Sequence, residues 1–474
     1  MERKGTREMN KEERENAERW AVQTFGTAEL GDPRRTDRLV TMAAALAENP
    51  AASLPKSMRN WADTMAAYRL LGNEAITHEQ IMAPHWMQTR AEALQRQRVL
   101  LLADTTDINL STHESTTGGG PIGRGNKAQG FFVHTVLAMD AQTQQLLGCM
   151  YQEPFIRQPA PKKETKAQRN KRARESQVWE RSVKQMGTVP ENRKWIYVGD
   201  RGSDLYTFWQ TCSQMGYDFV IRLAQDRRVR LDEVQDTEDP EVQRLKALAR
   251  SLAAQGGRLL QVPAQRQRPA REAFVQISWQ KVRIQPPVHG AKLDQTEITA
   301  WVVRVWEPSP PQGVEPLEWL LVTTVPVQCT QDAWERVKWY KWRWILEDFH
   351  KVLKTGCGMQ DRLLQTVAAL WRLLGVLTPT AMRLLWLRQT AQFAPDTPAT
   401  EVVSQEVVCV VTLLNKRPGM TLTANELWRT IASFGGYLNR KGDGPPGWQT
   451  LWQGWMYIQT VLEGVRLAPH FPPS

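Results

Sequence analysis

Cysteine is scarce in this chain. Five occur in 474 residues (Cys149, Cys212, Cys329, Cys357 and Cys409), widely spread and with no CxxC pair. That pattern excludes a disulfide framework and a cysteine zinc site, and it fits reduced thiols in the cytosol. Long apolar runs are missing too. The most hydrophobic stretch, Leu363 to Leu387, is interrupted by Arg372, Pro379 and Arg383 and predicts packed helices, with no membrane span and no membrane partner. Residues Met1 to Glu15 carry too many charges for a secretory signal, so the expected compartment is the cytoplasm or nucleoid. A phosphate loop is also absent. The glycines Gly118, Gly119, Gly120, Gly123 and Gly125 precede a strand pattern, and no Gly-Lys-Ser/Thr occurs there.

What is abundant is positive charge and tryptophan. Lys and Arg number 61 against 50 acids, a net charge of +11, and there are 20 tryptophans. A basic balance favours a polyanionic partner, although many proteins with the same balance bind none. With 41% hydrophobic residues the chain can fill the cores of about three domains.

The most informative segment is Tyr340-x2-Arg343-x3-Glu347-x6-Lys354. Read as one helix at about 100° per residue, it places Tyr340, Arg343, Glu347, Lys351 and Lys354 within an arc of about 80°. Trp342, Ile345, Leu346, Phe349, Val352 and Leu353 fall on the opposite, core side. A single carboxylate under a cationic stripe suits a metal ligand beside an anionic polymer. A solvated face held by Glu347–Lys351 and Glu347–Arg343 pairs explains the pattern equally well.

Upstream, two apolar runs end in aspartate: Val99 to Ala103 before Asp104, and Trp195 to Gly199 before Asp200. Buried strands emerging at these points bring a carboxylate to a cleft; each aspartate alone also reads as a turn or helix cap. Two aspartates and a helix-borne glutamate form an oxygen set for Mg²⁺ or Mn²⁺. Two such ions roughly 3.5–4 Å apart serve phosphodiester chemistry.

Between residues 97 and 222 the pattern reads strand (Val99–Ala103), strand (Phe131–Met139), strand (Leu146–Tyr151), polar helix, strand (Trp195–Val198), helix, strand (Phe219–Arg222). Short alternating segments with Pro and Gly turns fill 223–316, a β-rich insertion, before the sheet resumes at Trp319. Asp32-Pro33 marks a helix start, with Arg34, Arg35 and Arg38 in its first turns, where the dipole favours phosphate; an ordinary solvated basic helix is the plain alternative. The basic run Lys162–Arg174 reads first as a solvated face. Trp319 in its apolar strand, and Trp448, Trp452 and Trp455 at helical spacing, read first as core.

Eight stretches occur together in one order: Leu30 to Thr36, Asp104-Thr105-Thr106, Gly130 to His134, Glu175-Ser176 with Trp179, Phe219 to Arg222, Pro316 to Leu321, Tyr340 to Gly356, and Trp448 with Leu451 to Trp455. With them the chain resembles bacterial DDE transposases of the insertion-sequence-four family, whose third acidic residue sits in a Y-(2)-R-(3)-E-(6)-K signature. The resemblance spans residues 30 to 455.

It implies an α/β fold: a ribonuclease-H-like catalytic core (76–222 and 317–392) with a β-rich insertion (223–316), flanked by a helical N-terminal end-binding domain (1–75) and a helical C-terminal dimerisation domain (393–474). It also implies Asp104, Asp200 and Glu347 as catalytic residues and ligands of two Mg²⁺ (or Mn²⁺) ions. Tyr340, Arg343, Lys351 and Lys354 would grip phosphates, Arg222 and Trp319 would hold a flipped nucleotide, and Arg34, Arg35 and Arg38 would read double-stranded transposon ends. Cut-and-paste transposition by a homodimer follows from the same likeness. One departure is Gly202, where the family often has an acidic residue two positions after the second aspartate. A DNA-binding protein of transposon origin that no longer cuts, and a ribonuclease-H-fold nuclease, are the alternatives.

Overall fold

In this computed structural model the described residues are 17–467, apart from 124, 126, 158–160, 162, 166–173, 232–242, 263–269, 289–295 and 441–442. Most of the basic run Lys162–Arg174 therefore lies outside them, as does the first part of the expected N-terminal region.

Helices come first: α1 (17–25), α2 (Pro33–Glu48), α3 (Leu54–Ser57), α4 (Trp61–Leu71) and α5 (His78–Leu94). The start of α2 is the expected one. Asp32 caps it, accepting the Arg34 N–H at 2.9 Å, and Pro33 takes the first helical position, where its missing N–H costs nothing.

A single mixed sheet of twelve strands forms the centre. Its first half contains β1 (Arg98–Asn109), β2 (Gly120–Ile122), β3 (Ala128–Asp140), β4 (Leu146–Phe155), β5 (Lys194–Gly199) and β6 (Asp218–Arg222). β1 lies antiparallel to β3 and parallel to β5, which is parallel to β6. The second half adds β7 (Arg228–Arg230), β8 (Gln243–Arg244), β9 (Gly256–Val262), β10 (Arg271–Ile284), β11 (Ile298–Trp306) and β12 (Glu318–Thr323). Two findings differ from the sequence expectation. The β-rich segment extends the central sheet: β11 pairs β12, and β12 pairs β6. The strand expected to stop at Ala103 continues to Asn109, since β3 supplies a full antiparallel partner from Val99↔Asp140 to Asn109↔Gly130.

Side-chain alternation gives the sheet two buried faces. Trp195, Tyr197, Phe219 and Val302 pack on one side against α6 (Val178–Met186), α7 (Tyr206–Gln214) and α8 (Leu245–Ser251). Leu100, Leu102, Ile196, Val198 and Leu321 pack on the other with α5, α9 (Thr330–Trp342), α10 (Ile345–Lys351) and α11 (Val367–Phe393). The stretch expected as several helices is thus one 27-residue helix with Pro379 inside it. Leu370, Leu373, Leu374 and Leu377 are fully buried along it, and that packing outweighs the roughly 3 kcal/mol cost of an internal proline. Among the described residues no helix is long and apolar enough to cross a membrane.

Buried arginines fasten the helical ends to this core. Arg372 donates to Ile76 O at 2.6 Å and Leu71 O at 2.9 Å, and Arg362 donates to Pro50 O at 2.5 Å and Cys357 O at 2.8 Å. At the C-terminal end, α12 (Ala399–Val402), α13 (Gln405–Leu414), α14 (Ala424–Phe434) and α15 (Trp448–Leu467) form a small bundle. α14 and α15 meet at Gly454, where a Cβ would stand 1.8 Å from Ile431 O. Trp452 and Trp455 are buried there as core, and Trp455 stacks on Trp428 at 5.9 Å. The side chain of Trp448 lies outside the described residues.

Two buried histidines and a half-buried one are held neutral: loss of solvent pushes His134 and His350 down to about 3 and His85 down to about 4. Their unfolded values lie near 6.5. Each folded-state pKa is therefore depressed, so the stabilisation is full above pH 6.5 and is lost as pH falls below it. Between pH 7 and pH 5 each should cost about 2 kcal/mol of stability. Urea unfolding at the two pH values measures this, and a midpoint that does not fall at pH 5 would contradict the neutral burial.

Candidate active site

The register of the sheet sets the site. Leu102 pairs with Val198 in the parallel β1–β5 ladder, so Asp104 and Asp200 lie level two residues further on, each on the face that carries α9 and α10. β5 has ended by then, which leaves Asp104 unflanked on that side although it sits mid-strand. Asp104 is thus no strand-end residue; it is reached because its neighbour stops. The same alternation puts Arg222, at the end of β6, on this face. Trp319 follows two residues beyond Leu321, the partner of Arg222. Trp319 is half-buried and packs against the core. Asp104, Asp200, Arg222 and Trp319 therefore share one end and one face of the sheet.

The signature segment is not one helix. α9 ends at Trp342, α10 begins at Ile345, and Val352–Gly356 continues as a π-helical turn. The core side is close to expectation, since Leu346, Phe349, Val352 and Leu353 are fully buried. The polar side is not one solvated stripe. Tyr340 is buried, Lys351 is exposed, and Lys354 reaches Asp107 Oδ1 at 3.2 Å. In the turn at residues 343–344 Trp344 is exposed and Arg343 is buried.

Arg343 Nη1 donates to Asp104 Oδ2, and its Nη2 stands 3.8 Å from Glu347 Oε1. The charges explain the arrangement. The Asp104 carboxyl is raised to about 6: burial is the largest cause, Asp200 and Glu347 add to it, and the Arg343 guanidinium opposes it. Burial opposes the charge of Arg343 as well, yet Asp104, with Tyr340, Asp200 and Glu347 behind it, leaves its pKa raised. The three carboxylates thus feel one another, with a guanidinium among them. Their hard oxygen donors suit Mg²⁺ or Mn²⁺, and the surplus negative charge around a desolvated Asp104 calls for a cation. Among the described residues, however, no three His, Cys, Asp or Glu stand together as a metal cage. In this conformation Arg343 supplies the positive charge.

Asp200 opens a 3₁₀ turn and accepts the Gly202 N–H at 2.8 Å. A Cβ at residue 202 would meet Asp200 Oδ1 at 3.0 Å, so the glycine keeps this carboxylate uncrowded. Asp204 faces away from the site. It is fully buried and accepts the N–H groups of Ala224 and Gln225, each at 2.6 Å, and the Arg227 guanidinium. Its role is to lock the turn after Asp200 onto the end of β6.

The α2 arginines are not drawn to this site. Arg34 is exposed beside Asp32, Arg38 is exposed, and Arg35 is tied to Leu30 O at 2.8 Å within its own loop.

A buried relay behind the aspartates is absent from the sequence reading. Thr105 Oγ1 lies 2.9 Å from His134 Nδ1, His134 Nε2 lies 3.2 Å from Tyr197 Oη, Tyr197 Oη lies 3.0 Å from Ser182 Oγ, and Ser182 Oγ donates to Trp179 O at 2.7 Å. The last donation fixes the direction of the rest. Tyr197 donates to Ser182, His134 donates from Nε2, and Thr105 donates to Nδ1. Thr105 also donates its backbone N–H to Asp104 Oδ1 at 2.8 Å, and the Trp179 ring lies within 3.6 Å of where Cβ atoms on Gly199 and Gly202 would stand. One cluster therefore backs both aspartates. The sequence signal was a histidine and a tyrosine inside apolar strand runs, which periodicity assigns to the core without saying whom they bond.

Replacing His134 with Phe takes the acceptor from Thr105 Oγ1 and one of the two partners from Tyr197 Oη, which keeps Ser182. The expected loss is about 1–3 kcal/mol of stability, read by urea unfolding. An unchanged midpoint would show that the relay holds nothing.

Two family models match this chain. Residues 17–76 match a transposase DNA-binding domain, and residues 379–473 match the transposase Tn5 dimerisation domain. The carboxylate-bearing sheet lies between them, outside both matches. A DNA-binding domain near one end and a dimerisation domain near the other support a DNA transposase that binds DNA and pairs as a homodimer.

Proposed function

We propose that the chain is a DDE transposase of the insertion-sequence-four type, with a ribonuclease-H-like core, that cleaves transposon ends and joins them to target DNA. The observation that carries the reading is Arg343 held between Asp104 and Glu347, with Asp200 level with Asp104 on the same face of the sheet. The matches at the two ends of the chain supply the DNA-binding and pairing parts. Residues 1–75 would form the end-binding domain, 76–222 and 317–392 the core, 223–316 the β-rich extension and 393–474 the dimer contact.

In this reading Asp104, Asp200 and Glu347 would hold two Mg²⁺ or Mn²⁺ ions. Bound there, the metal would lower the pKa of an attacking water or 3′-hydroxyl and stabilise the leaving oxyanion. Arg343 would give up Asp104 and turn to a DNA phosphate, with Tyr340 beside it. Lys351 and Lys354 would hold phosphates of the cut end, Arg222 and Trp319 an unstacked nucleotide, and Arg34, Arg35 and Arg38 the end sequence. The buried His134 relay would keep the two aspartates level.

The decisive experiment pairs a Mg²⁺ or Mn²⁺ cleavage assay with a gel shift. Asp104→Ala, Asp200→Ala and Glu347→Ala should each abolish strand cleavage and leave binding of end DNA nearly unchanged, because affinity rests on many Lys and Arg contacts. A variant that still cuts at the wild-type rate removes its carboxylate from the assignment. The open arrangement of the carboxylates favours a second reading, a DNA-binding protein of transposon origin that does not cut; wild-type protein that shifts end DNA without nicking it would establish that instead.

The α2 arginines offer a separate check. Arg34→Ala with Arg38→Ala should weaken binding to end DNA more than to random duplex, since base contacts specify and phosphate contacts do not. Equal losses would make them general phosphate contacts.

A further inference from the structure

A second basic feature lies on the other side of the bend. A cleft of about 740 Å³ opens along the outer face of α9, and none of Asp104, Asp200 and Glu347 lines it. Its walls carry two cation–aromatic pairs. The Arg258 guanidinium lies 3.7 Å from the centre of the Trp334 ring, and Lys338 Nζ lies 5.0 Å from that of Trp342. Trp334, Lys338, Lys341 and Trp342 follow at helical spacing, so one stripe of α9 presents them together.

The charges of this cleft are unevenly matched. Two acids line it, and both are engaged. Glu335 pairs with Arg98 at 3.2 Å and with Arg336, and Asp332 accepts the Gln328 N–H at 2.9 Å at the start of α9. Among the described residues no carboxylate stands within ion-pair distance of Arg258, Lys338 or Lys341. Arg258 Nε is moreover buried without an acceptor, a donor that costs free energy until an oxygen reaches it. Two cations braced by flat indole faces, with Lys341 beside them, suit a partner that brings anionic oxygens in series, which is the chemistry of a nucleic-acid backbone.

Position selects which part of the DNA. α9 runs straight into Arg343, so at about 1.5 Å per residue Lys338 lies roughly 7 Å and Trp334 roughly 13 Å back along the helix from the carboxylate site. At about 3.4 Å per base pair that distance is roughly two to four base pairs of duplex. Lys351 and Lys354 lie beyond Glu347, on the opposite side of the carboxylates in the chain's path. A DNA strand crossing the site with its cut end on those lysines leaves it along α9.

We propose that the α9 cleft holds the phosphates of the duplex flanking the transposon, on the far side of the scissile bond from the recognised end. This inference rests on the transposase reading above and adds a sequence-independent contact to it.

Two labelled probes with the same end sequence test it, one stopping flush at the cut position and one continuing into flanking duplex. The variant Lys338→Glu with Lys341→Glu should bind the flanked probe about tenfold or more weakly and the flush probe like wild type, with the salt slope on the flanked probe reduced by about one unit per lost phosphate contact. Lys338→Arg with Lys341→Arg should restore flanked binding. Flush-probe binding doubles as the folding control, and Lys338→Gln with Lys341→Gln replaces the reversal should that variant misfold. Equal losses on both probes, or no loss on either, overturn the flanking contact while leaving the transposase reading in place. Wild-type protein that prefers neither end probe over random duplex overturns both.

Discussion

Everything at the carboxylate end depends on one contact, the buried Arg343 guanidinium against Asp104. Three carboxylates at a half-buried sheet end repel one another. Burial, together with the charges of Asp200 and Glu347, holds the Asp104 carboxyl up at about 6 even with the Arg343 guanidinium against it. A cation must stand among them for the fold to hold their charges together. Arg343 fills that position from the short turn between α9 and α10, where the arginine is buried and Trp344 is exposed.

The sheet makes that arrangement rigid. The ladder from β3 through β1, β5, β6 and β12 continues without interruption into β11 and β10, so the β-rich segment braces the strand that bears Trp319 and sits against α9. Behind the aspartates the relay from Thr105 through His134 and Tyr197 to Ser182 satisfies its polar atoms one by one and keeps the histidine neutral. In front, Arg362 and Arg372 donate to main-chain carbonyls of the N-terminal helical region. Those buried arginines are expensive to strip of partners, and they hold the DNA-binding region against the same core that presents the carboxylates.

The chain's surfaces divide the tasks by charge. Among the described residues, cations are exposed at Arg34 and Arg38 on α2, at Lys351 beyond Glu347 and along the α9 cleft. Such a spread suits a substrate longer than the protein is wide. A small anion would need only one.

Much of this was legible in the sequence, for reasons that are local. Apolar runs gave the strands around Leu101, Val198 and Ile221, because a buried strand must be apolar throughout. Asp32-Pro33 gave the start of α2, because capping involves only neighbours in the chain. The signature segment named Arg343, Glu347 and Lys354, and its core side was correct at Leu346, Phe349, Val352 and Leu353. Tertiary structure decided the rest. No periodicity marks where β5 stops beside Asp104, since that is a matter of register between strands about ninety residues apart. Nor does any local pattern say that Arg343 faces Asp104, that Lys354 takes Asp107, or that Pro379 stays inside a helix. Long-range pairing and burial set those outcomes, and their energies exceed the local preferences that a sequence displays.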